Sequence, residues 1–436
     1  MKCGFFELDI TPALGSIIPG SFEARYSDTV RDTLFVRAFV CLHNGKNAAI
    51  VSVDCVGITA DITERIRSRV ASMTPIKRRE IMVMATHCHA GGPTLNWGEE
   101  VVRNEFYIQN LVDKAADSII VAYQRAERVE LKKGTEHLCD VSFIRVFKMK
   151  DGSFKTNPGA ENANKIDCPC SEIDDDVLVL TANRNGAPIG AIVNFALHPA
   201  IVAANETSGD YISSLSREMK KVCGPDFVTV FINGACGDIN HINTSDYATS
   251  TKPGRDRYIG RKLSEKVLSA IQNSQAFSGN IDVSEKEISV RLRKPTAEQL
   301  LQSKEILDVL GDELTECVLA KGKDYVDVFF AMQALQIQAD KNTQRSVYLQ
   351  IIKIGDVSVF GIPCQIFVNY GKKIKAACGV GCMISAFAND YCGYVPTKEC
   401  MKKGVYEATL APTSALEANT GDKICDAIIE MYRTIK

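Results

Sequence analysis

Several features that would assign this chain to a special class are missing from its sequence. It has no apolar run of the roughly 18 residues that a membrane-spanning helix needs, no internal repeat and no C-x-x-C pair of zinc-finger spacing. Charge is balanced, with 51 Lys and Arg against 53 Asp and Glu, so no nucleic-acid or anionic-membrane surface is predicted. Glu7 and Asp9 stand where a signal peptide would need its apolar core. We therefore expect a cytoplasmic protein without a nucleic-acid partner or stable membrane anchor, acting on a small molecule.

Cysteine is abundant, with 16 residues, yet a disulfide framework is not expected. Most of these residues stand in apolar contexts, as Cys41 does within Ala-Phe-Val-Cys-Leu. Free cysteine behaves as a small buried hydrophobe, and thiols of cytosolic proteins stay reduced. The oligomeric state does not follow from the sequence.

Histidine is scarce, with six in the chain, and two of them stand in residues 81–93. This stretch begins as an apolar run of strand length and ends at Gly91-Gly-Pro93. If His87 and His89 belong to the strand, their side chains point to the same face. Two interpretations compete: a hydrogen-bonded pair at a strand end, or a metal ligand beside a catalytic partner.

Four predicted strands end in short polar clusters: Asp54, then His87 with His89, then His198, then Gly237-Asp238. Open α/β sheets bind ligands at the carboxyl ends of their strands. We therefore predict an α/β fold of mixed sheets with flanking helices and a site at those ends. One domain is expected over residues 1–436, with residues 276–330 as a candidate small subdomain.

Local patterns predict individual elements. Asn44-Gly45 between two apolar runs predicts a hairpin. Helical spacing predicts helices over residues 106–126 and 296–310, the second with a capping box formed by Thr296 and Gln299. Residues 335–338 are predicted as a strand and residues 157–172 as a long loop.

Ordered motifs along most of the chain resemble those of the neutral/alkaline non-lysosomal ceramidases. The chain resembles the catalytic domain of that family, in particular its short bacterial-type relatives without the C-terminal immunoglobulin-like domain. The motifs lie at residues 9–12 (DITP), 32–38 (DTLFVRA), 51–54 (VSVD), 86–93 (THCHAGGP), 144–145 (IR), 156–159 (TNPG), 194–199 (NFALHP), 208–211 (SGDY), 233–240 (NGACGDIN), 389–397 (NDYCGYVPT) and 406–408 (YEA).

The resemblance implies a Zn²⁺ amidohydrolase site. Carried over by motif, the metal ligands are His87, His198, Tyr394 and Gln365. His89 is implied in proton transfer, and Arg145 and Tyr406 in holding or polarising the scissile amide. The remaining candidate catalytic residues, from the matching loops, are Asn240, Asp210 and Asp238.

The chain departs from the family motifs at positions that matter for chemistry. Gln365 stands where the family has a glutamate, and Asn240 where it has a serine. A neutral amide oxygen gives the site less negative charge, which predicts weaker zinc binding. Three alternatives stay open: Gln365 still binds the metal, a carboxylate such as Asp210 replaces it, or the metal is different or absent. Asparagine at position 240 is not a nucleophile.

Three functional hypotheses follow. The first is a zinc-dependent hydrolase, an amidohydrolase that cleaves the C–N bond of a linear amide in a small N-acyl compound. The second is a hydrolase of a sugar-like or ester substrate on the same scaffold, using Asp210 and Asp238. The third is a zinc-free descendant that retains a ligand pocket.

Overall fold

Helices and strands alternate through most of the chain in this computed structural model, which describes residues 1–22, 24–96, 101–202, 204–308, 325–379 and 381–435. The α-helices are Ala60–Met73, Glu105–Gln124, Asp210–Cys223, Tyr247–Ser250, Arg255–Gln272, Ala297–Asp308, Tyr325–Ala339, Val368–Cys378, Lys398–Lys403 and Thr420–Thr434. Short 3₁₀ helices occur at Arg78–Glu80, Ala160–Lys165, Tyr406–Ala408 and Pro412–Ser414.

Three mixed sheets carry most of the strands. The first sheet has the order Ile81–Ala85, Lys46–Val53, Phe35–His43, Lys2–Asp9, Glu127–Arg128. The second has the order Val228–Asn233, Ala187–Phe195, Asp176–Arg184, Glu130–His137, Gln275–Phe277. The third has the order Ile281–Arg291, Gln344–Ile354, Val357–Gly361, Cys382–Ser385.

The remaining strands are short and connect loops near the sheet ends. They are Ile17–Ile18 with Arg25–Tyr26, Thr29–Val30 with Glu206–Thr207, Phe143–Ile144 with Ile239–Asn240, Gln365–Ile366 with Tyr394–Val395, and the set Phe154–Thr156, Val146–Met149, Ile166–Pro169.

The three main sheets enclose a shared apolar core. The first sheet contributes Phe39 and Ile50, the second Ile192 and Val230, and the third Ile352, all with no exposed surface. A second cluster of buried apolar side chains packs helices against the sheets. Burial of this kind, at about 25 cal/mol per Å² of apolar surface, is the main stabilising contribution to such a fold.

All three main sheets share one further feature. Each is antiparallel except for the pair at one edge, which is parallel: Lys46–Val53 with Ile81–Ala85, Ala187–Phe195 with Val228–Asn233, and Val357–Gly361 with Cys382–Ser385. Parallel neighbours end on the same side of a sheet. The polar residues after these strands therefore gather where the three sheets meet.

Asn233 joins the three sheet ends at that point. Its side-chain amide donates to the carbonyl of Thr86, which follows the first sheet, over 3.0 Å. Its own carbonyl accepts from the amide of Ala386, which follows the third sheet, also over 3.0 Å. Asp54, at the end of Lys46–Val53, is used differently: its Oδ2 accepts from Arg37 Nη1 at 2.8 Å and is fully buried.

The α/β class with mixed sheets and flanking helices is confirmed, and so are several local predictions. The Asn44-Gly45 turn has positive φ at both residues, 49° and 76°, as a tight hairpin requires. The predicted helix 106–126 is Glu105–Gln124. The predicted helix 296–310 is Ala297–Asp308, and Thr296 and Gln299 cap each other's backbone amides; residues 309–310 lie outside the described residues.

Two local predictions were wrong. Residues 335–338 belong to the helix Tyr325–Ala339, because a short apolar run does not distinguish a strand from a buried helix. Residues 157–172 form the 3₁₀ helix Ala160–Lys165 and the strand Ile166–Pro169. The domain division stays a prediction; the strand Ile281–Arg291 pairs with Gln344–Ile354 in the third sheet. Among the described residues, no helix is long and apolar enough to cross a membrane.

Candidate metal and catalytic site

His87 reaches the site through an unusual backbone conformation. The strand ends at Ala85, so the expectation that strand alternation orients His87 and His89 was wrong. His87 has φ of +68°, in the left-handed region that β-carbon-bearing residues rarely adopt. Its ring stacks on Phe387 with the centroids 3.9 Å apart. Strained backbone of this kind concentrates at functional sites, where the surrounding structure holds it in place.

Three imidazoles converge at the meeting point of the sheets. His89 Nε2 lies 3.2 Å from His87 Nε2 and 3.0 Å from His198 Nε2. His87 and His198 are buried and His89 is half-buried. The family resemblance implies metal binding for His87 and His198 and proton transfer for His89, whereas the geometry brings all three Nε2 atoms together.

The other nitrogen of each ring contacts a backbone carbonyl. His87 Nδ1 lies 2.5 Å from the carbonyl oxygen of Val56, and His89 Nδ1 lies 2.8 Å from that of Gly20. His198 Nδ1 lies 3.5 Å from the carbonyl oxygen of Cys236. A carbonyl only accepts hydrogen bonds, so Nδ1 of His87 and of His89 carries the proton and their Nε2 atoms carry a free lone pair; the longer His198 contact favours the same tautomer. This fixing of the tautomer by outer partners is typical of metal-binding histidines.

Three lone pairs this close repel one another unless a cation lies between them. Tetrahedral zinc–nitrogen bonds of about 2.0–2.1 Å place neighbouring ligand nitrogens about 3.3 Å apart, close to the observed separations. Burial lowers the pKa of His87 and His198 well below the usual value and that of His89 to about 4. All three are therefore neutral at pH 7, the form that binds metals.

Gln365 lies beside this cluster and offers a fourth donor atom. Its side chain is close enough to His87 to raise that group's pKa against the larger lowering effect of burial. Nε2 donates to the Tyr391 hydroxyl at 2.5 Å, whereas Oε1 is buried and has no hydrogen-bond partner. A buried carbonyl oxygen without a partner is costly, and binding a cation would satisfy it. The residues present therefore fit a zinc ion with a neutral oxygen ligand.

Gly237 allows the Gln365 loop to approach this closely. A β-carbon at Gly237 would lie 2.5 Å from the carbonyl oxygen of Gln365, too close for any other residue without a backbone shift. The Gly237 amide also donates to the carbonyl of Ile366 at 3.0 Å.

Tyr394 lies next to Gln365 in the parallel pairing of Gln365–Ile366 with Tyr394–Val395. Its hydroxyl accepts a hydrogen bond from Arg145 Nη2 at 3.1 Å, and its ring centroid is 6.1 Å from that of Tyr406. The Arg145 charge in turn lowers the pKa of all three site histidines. Arg145 and Tyr394 therefore lie within electrostatic range of the imidazoles, on one side of the cluster.

Glu407 holds Arg145 in place and was missed by the sequence analysis. It is fully buried. Its Oε1 accepts from Arg145 Nε at 2.7 Å, and its Oε2 accepts from the Thr156 hydroxyl at 2.7 Å. Tyr391 was also missed, although it stands in the motif that contains Tyr394. For both residues the motifs at 389–397 and 406–408 were the available signal.

Asp210, Asp238 and Asn240 are engaged in loop structure. Asp210 accepts from the backbone amides of Ile201 and Val202 at 2.8 and 2.9 Å, which fixes the segment after His198. Asn240 donates to the Asn157 side chain and accepts from the Ile242 amide. A direct part for any of the three in catalysis stays a prediction.

Asp238 holds the helix that follows Gln365, and this gives a prediction about its titration. Its Oδ1 accepts from the Val368 amide at 2.7 Å and its Oδ2 accepts from the Ser171 hydroxyl at 3.1 Å. Burial raises its pKa to about 6 despite these hydrogen bonds. Carbon-13 spectra of aspartate-labelled protein should show a carboxyl titrating near pH 6 that is absent in Asp238→Asn.

The effect on stability follows from the raised pKa. The folded protein binds this proton more tightly than the unfolded chain, so the contribution is complete below about pH 4 and is lost as pH rises through about 6. Its size is on the order of 3 kcal/mol. A carboxyl titrating near pH 4, as in an unfolded peptide, would contradict the prediction.

Comparison with known proteins was made with this geometry in hand. The family model described as neutral/alkaline non-lysosomal ceramidase, N-terminal, matches residues 20–255. The structure is similar to the crystal structure of neutral ceramidase from Pseudomonas aeruginosa, with a TM-score of 0.74 and 20% identity, covering 100% of this chain and 74% of that one. A ceramidase complexed with C2 is similar at a TM-score of 0.73 and 18% identity, covering 100% and 75%. No curated protein matches the sequence.

Proposed function

Because the chain belongs to the neutral/alkaline non-lysosomal ceramidase family, we propose that it is a zinc-dependent hydrolase that cleaves the C–N bond of a linear amide in a small N-acyl compound. One observation carries the proposal: the Nε2 atoms of His87, His89 and His198 lie within 3.2 Å of one another along two of the three pairs, with each Nδ1 against a carbonyl. The Nε2 lone pairs of neutral imidazoles in this arrangement repel one another. A divalent cation between them would remove that repulsion by accepting the lone pairs.

The ligand set consists of His87, His198 and the amide oxygen of Gln365, with Tyr394 or His89 as the further donor. When bound, zinc supplies a Lewis acid that polarises a carbonyl oxygen and lowers the pKa of water toward 7. Tyr394 would bind the metal through the same hydroxyl oxygen that accepts a hydrogen bond from Arg145, since a phenol oxygen has more than one lone pair. His89 is half-buried and already directs Nε2 to the site.

Arg145 supplies fixed positive charge for the oxyanion that forms when an amide carbonyl is attacked. Its side chain is buried and is held by Glu407, the Gly237 carbonyl and the Tyr394 hydroxyl. A donor that is already oriented costs no reorganisation when charge develops in a water-poor site. Tyr406, at the exposed edge beside Tyr394, is the second candidate donor to the amide.

His89 is the candidate for proton transfer when Tyr394, and not His89, completes the ligand set, because its Nε2 lone pair is then free. As a neutral imidazole it accepts a proton from the attacking water, and it then donates that proton to the departing amine. Gly20 fixes the ring in the required orientation through its carbonyl. A β-carbon at Gly20, whose φ is +100°, would lie 2.8 Å from His89 Nδ1, so glycine is needed there.

Metal removal tests the proposal. We expect purified protein treated with a zinc chelator to lose at least about 100-fold in kcat/KM for short N-acyl amides, and to regain activity with one equivalent of Zn²⁺. Parallel assays with ester and glycoside substrates separate amide hydrolysis from the second hypothesis. Hydrolysis that persists without metal would refute the zinc mechanism. Protein that is isolated without zinc and binds ligands without turnover would support the third hypothesis, a zinc-free descendant with a ligand pocket. The uncharged side chain of Gln365 favours that hypothesis.

Gln365→Glu gives a sharper test of the ligand set. A carboxylate oxygen in place of the unpartnered Oε1 should tighten zinc binding by about tenfold or more, measured by competition with a chromophoric chelator. Gln299→Glu is the matched control, since it adds the same charge at an exposed cap position and preserves the capping box. Equal affinity in wild type and Gln365→Glu would place Gln365 outside the set of metal ligands.

A further inference from the structure

Arg255 is a half-buried arginine whose charge is not matched by a carboxylate. Its side chain has no hydrogen bond or ion pair within the described part of the chain, and its Nε is buried without a partner. The next residue, Asp256, instead accepts two hydrogen bonds from Arg31 Nη2, at 2.7 and 2.8 Å. The guanidinium lies over the Tyr258 ring, 4.9 Å from its centroid. That contact uses the face of the guanidinium, so its N–H groups are left for another acceptor.

His241 lies near Arg255 and also lacks a partner. It is half-buried, and its Nδ1 is buried without a hydrogen bond to any residue that the structure describes. Burial, and after it the charge of Arg255, lowers the pKa of His241 to about 4. The imidazole is therefore neutral at pH 7 and has one N–H to donate. Buried polar atoms without partners are costly and uncommon, so two of them on neighbouring side chains indicate a site for an acceptor. We call these two residues the arginine–histidine pair.

A series of contacts connects the arginine–histidine pair to the oxyanion side of the proposed reaction. The backbone amide of Asn157 donates to the carbonyl of Arg145 at 2.8 Å. Asn240 Nδ2 donates to Asn157 Oδ1 at 2.6 Å, and His241 directly follows Asn240. The strand pair that contains Asn240 also contains Phe143 and the residue before Arg145. The pair is therefore adjacent to the loops that hold the oxyanion-binding arginine.

A second series of contacts leads from the same pair to the histidine side of the site. Arg31, the partner of Asp256, donates its backbone amide to the carbonyl of Thr207 at 2.9 Å. The amide of the next residue, Ser208, donates to the carbonyl of Ala90, also at 2.9 Å. Ala90 directly follows the histidine proposed for proton transfer. The arginine–histidine pair is thus connected to the proposed site from two sides.

We propose that Arg255 and His241 form a subsite for an anionic group of the substrate, which is then an N-acyl compound that carries a carboxylate. The proposal rests on the proposed function, because it places the carboxylate near an amide held by Arg145. A guanidinium matches a carboxylate in charge and in the spacing of its donors, and the neutral imidazole adds one further donor. The charge of Arg145 is already matched by Glu407, so an anionic substrate needs a separate cation.

The carboxylate belongs either to the amine part, as in an N-acyl amino acid, or to the acyl part, as in a monoamide of a dicarboxylic acid. The test measures kcat/KM in two series that separate these sources. One series joins an acetyl group to butylamine, β-alanine or γ-aminobutyrate, and the other joins butylamine to a butanoyl, succinyl or glutaryl group. Wild type is compared with Arg255→Gln. Arg257→Gln is the matched control, since it removes the charge of an exposed arginine on the same helix.

We expect wild-type kcat/KM in one of the two series to be at least about tenfold higher for a carboxylate substrate than for the neutral one. Arg255→Gln should lose about tenfold or more on that carboxylate substrate and less than about twofold on the neutral amide. Arg255→Lys keeps the charge without the planar fork and should lose less, and Arg257→Gln should behave as wild type. If Arg255→Gln does not fold, His241→Phe should reduce the same preference by about threefold.

The outcomes distinguish this proposal from the proposed function. If wild type hydrolyses neutral and anionic amides equally well, or if Arg255→Gln keeps the preference for carboxylates, the subsite is refuted and the amidase function stands. If wild type hydrolyses no amide, the amidase function fails, and binding of glutarate and of N-acetyl-γ-aminobutyrate is measured by calorimetry instead. Binding weakened about tenfold by Arg255→Gln then supports the anion subsite; equal binding, or no binding to wild type, overturns it.

Discussion

His87→Ala is expected to abolish hydrolysis and zinc binding together, with kcat/KM reduced on the order of 10³-fold or more. His87 is the most constrained of the three imidazoles. Its backbone is left-handed, its ring stacks on Phe387 and its Nδ1 contacts the Val56 carbonyl. Metal content by mass spectrometry and kcat/KM on the same preparation are the two measurements.

His43→Ala is the matched control for this variant. His43 lies at the hairpin end of the first sheet, opposite the end formed by Val53 and Ala85, and belongs to neither cluster of possible metal ligands in the described part of the chain, so both activity and zinc content should stay at the wild-type level. Loss of zinc with retained activity in His87→Ala would contradict the role of the metal. Loss of activity with full zinc content would instead place His87 outside the ligand set.

Glu407→Gln is expected to lower kcat by about 10²-fold with a smaller change in KM. The substitution keeps the shape of the side chain but removes the charge that faces Arg145 Nε at 2.7 Å. A buried guanidinium without its partner shifts toward other acceptors and no longer presents a fixed charge to the substrate. Glu407 is a positioning residue, because it acts through Arg145.

Steady-state kinetics and chemical denaturation, measured on the same variant, separate positioning from folding. Breaking one buried ion pair costs about 3–5 kcal/mol, so stability should also fall. Glu430→Gln, which breaks the exposed ion pair with Lys286, should change neither quantity by much. If Glu407→Gln lowers stability and leaves kcat unchanged, then Arg145 is held for folding alone.

Much of the site was predictable because its residue types are scarce and chemically distinctive. His87, His89 and His198 stand out among six histidines, and each follows an apolar strand pattern at a carboxyl end. Strand alternation was the wrong reason for expecting the side chains of His87 and His89 to point the same way, because the strand Ile81–Ala85 ends before both residues. Backbone strain at His87 depends on Phe387 and on the other sheet ends, which no local pattern contains.

The residues that escaped prediction are those whose function depends on distant partners. Glu407 stands in the motif at 406–408, but it lies 262 positions from Arg145 in sequence, so nothing local pairs it with that arginine. Tyr391 matters to the site because its hydroxyl accepts a hydrogen bond from Gln365 Nε2, a contact that the sequence does not show. The helix Tyr325–Ala339 was partly misassigned because its apolar residues cover more than one face and so lack the periodicity that identifies a helix.

The arrangement of the sheets explains why these distant residues meet. Each main sheet changes from antiparallel to parallel at one edge, and the loops that follow those edges join through Asn233. Local propensity predicts the strands but not the order in which they pair. Most elements and a site at the strand ends were therefore accessible from sequence, whereas the strand pairing that brings three sheet edges together was not.

Anomalous diffraction from zinc-loaded crystals, recorded on both sides of the zinc absorption edge, tests the central claim most directly. The account predicts a single strong peak about 2.0–2.1 Å from Nε2 of His87 and of His198, with a further ligand from Gln365 and from Tyr394 or His89. Protein that holds stoichiometric zinc with its anomalous peak elsewhere, or that shows no peak between these imidazoles at saturating zinc, would contradict it.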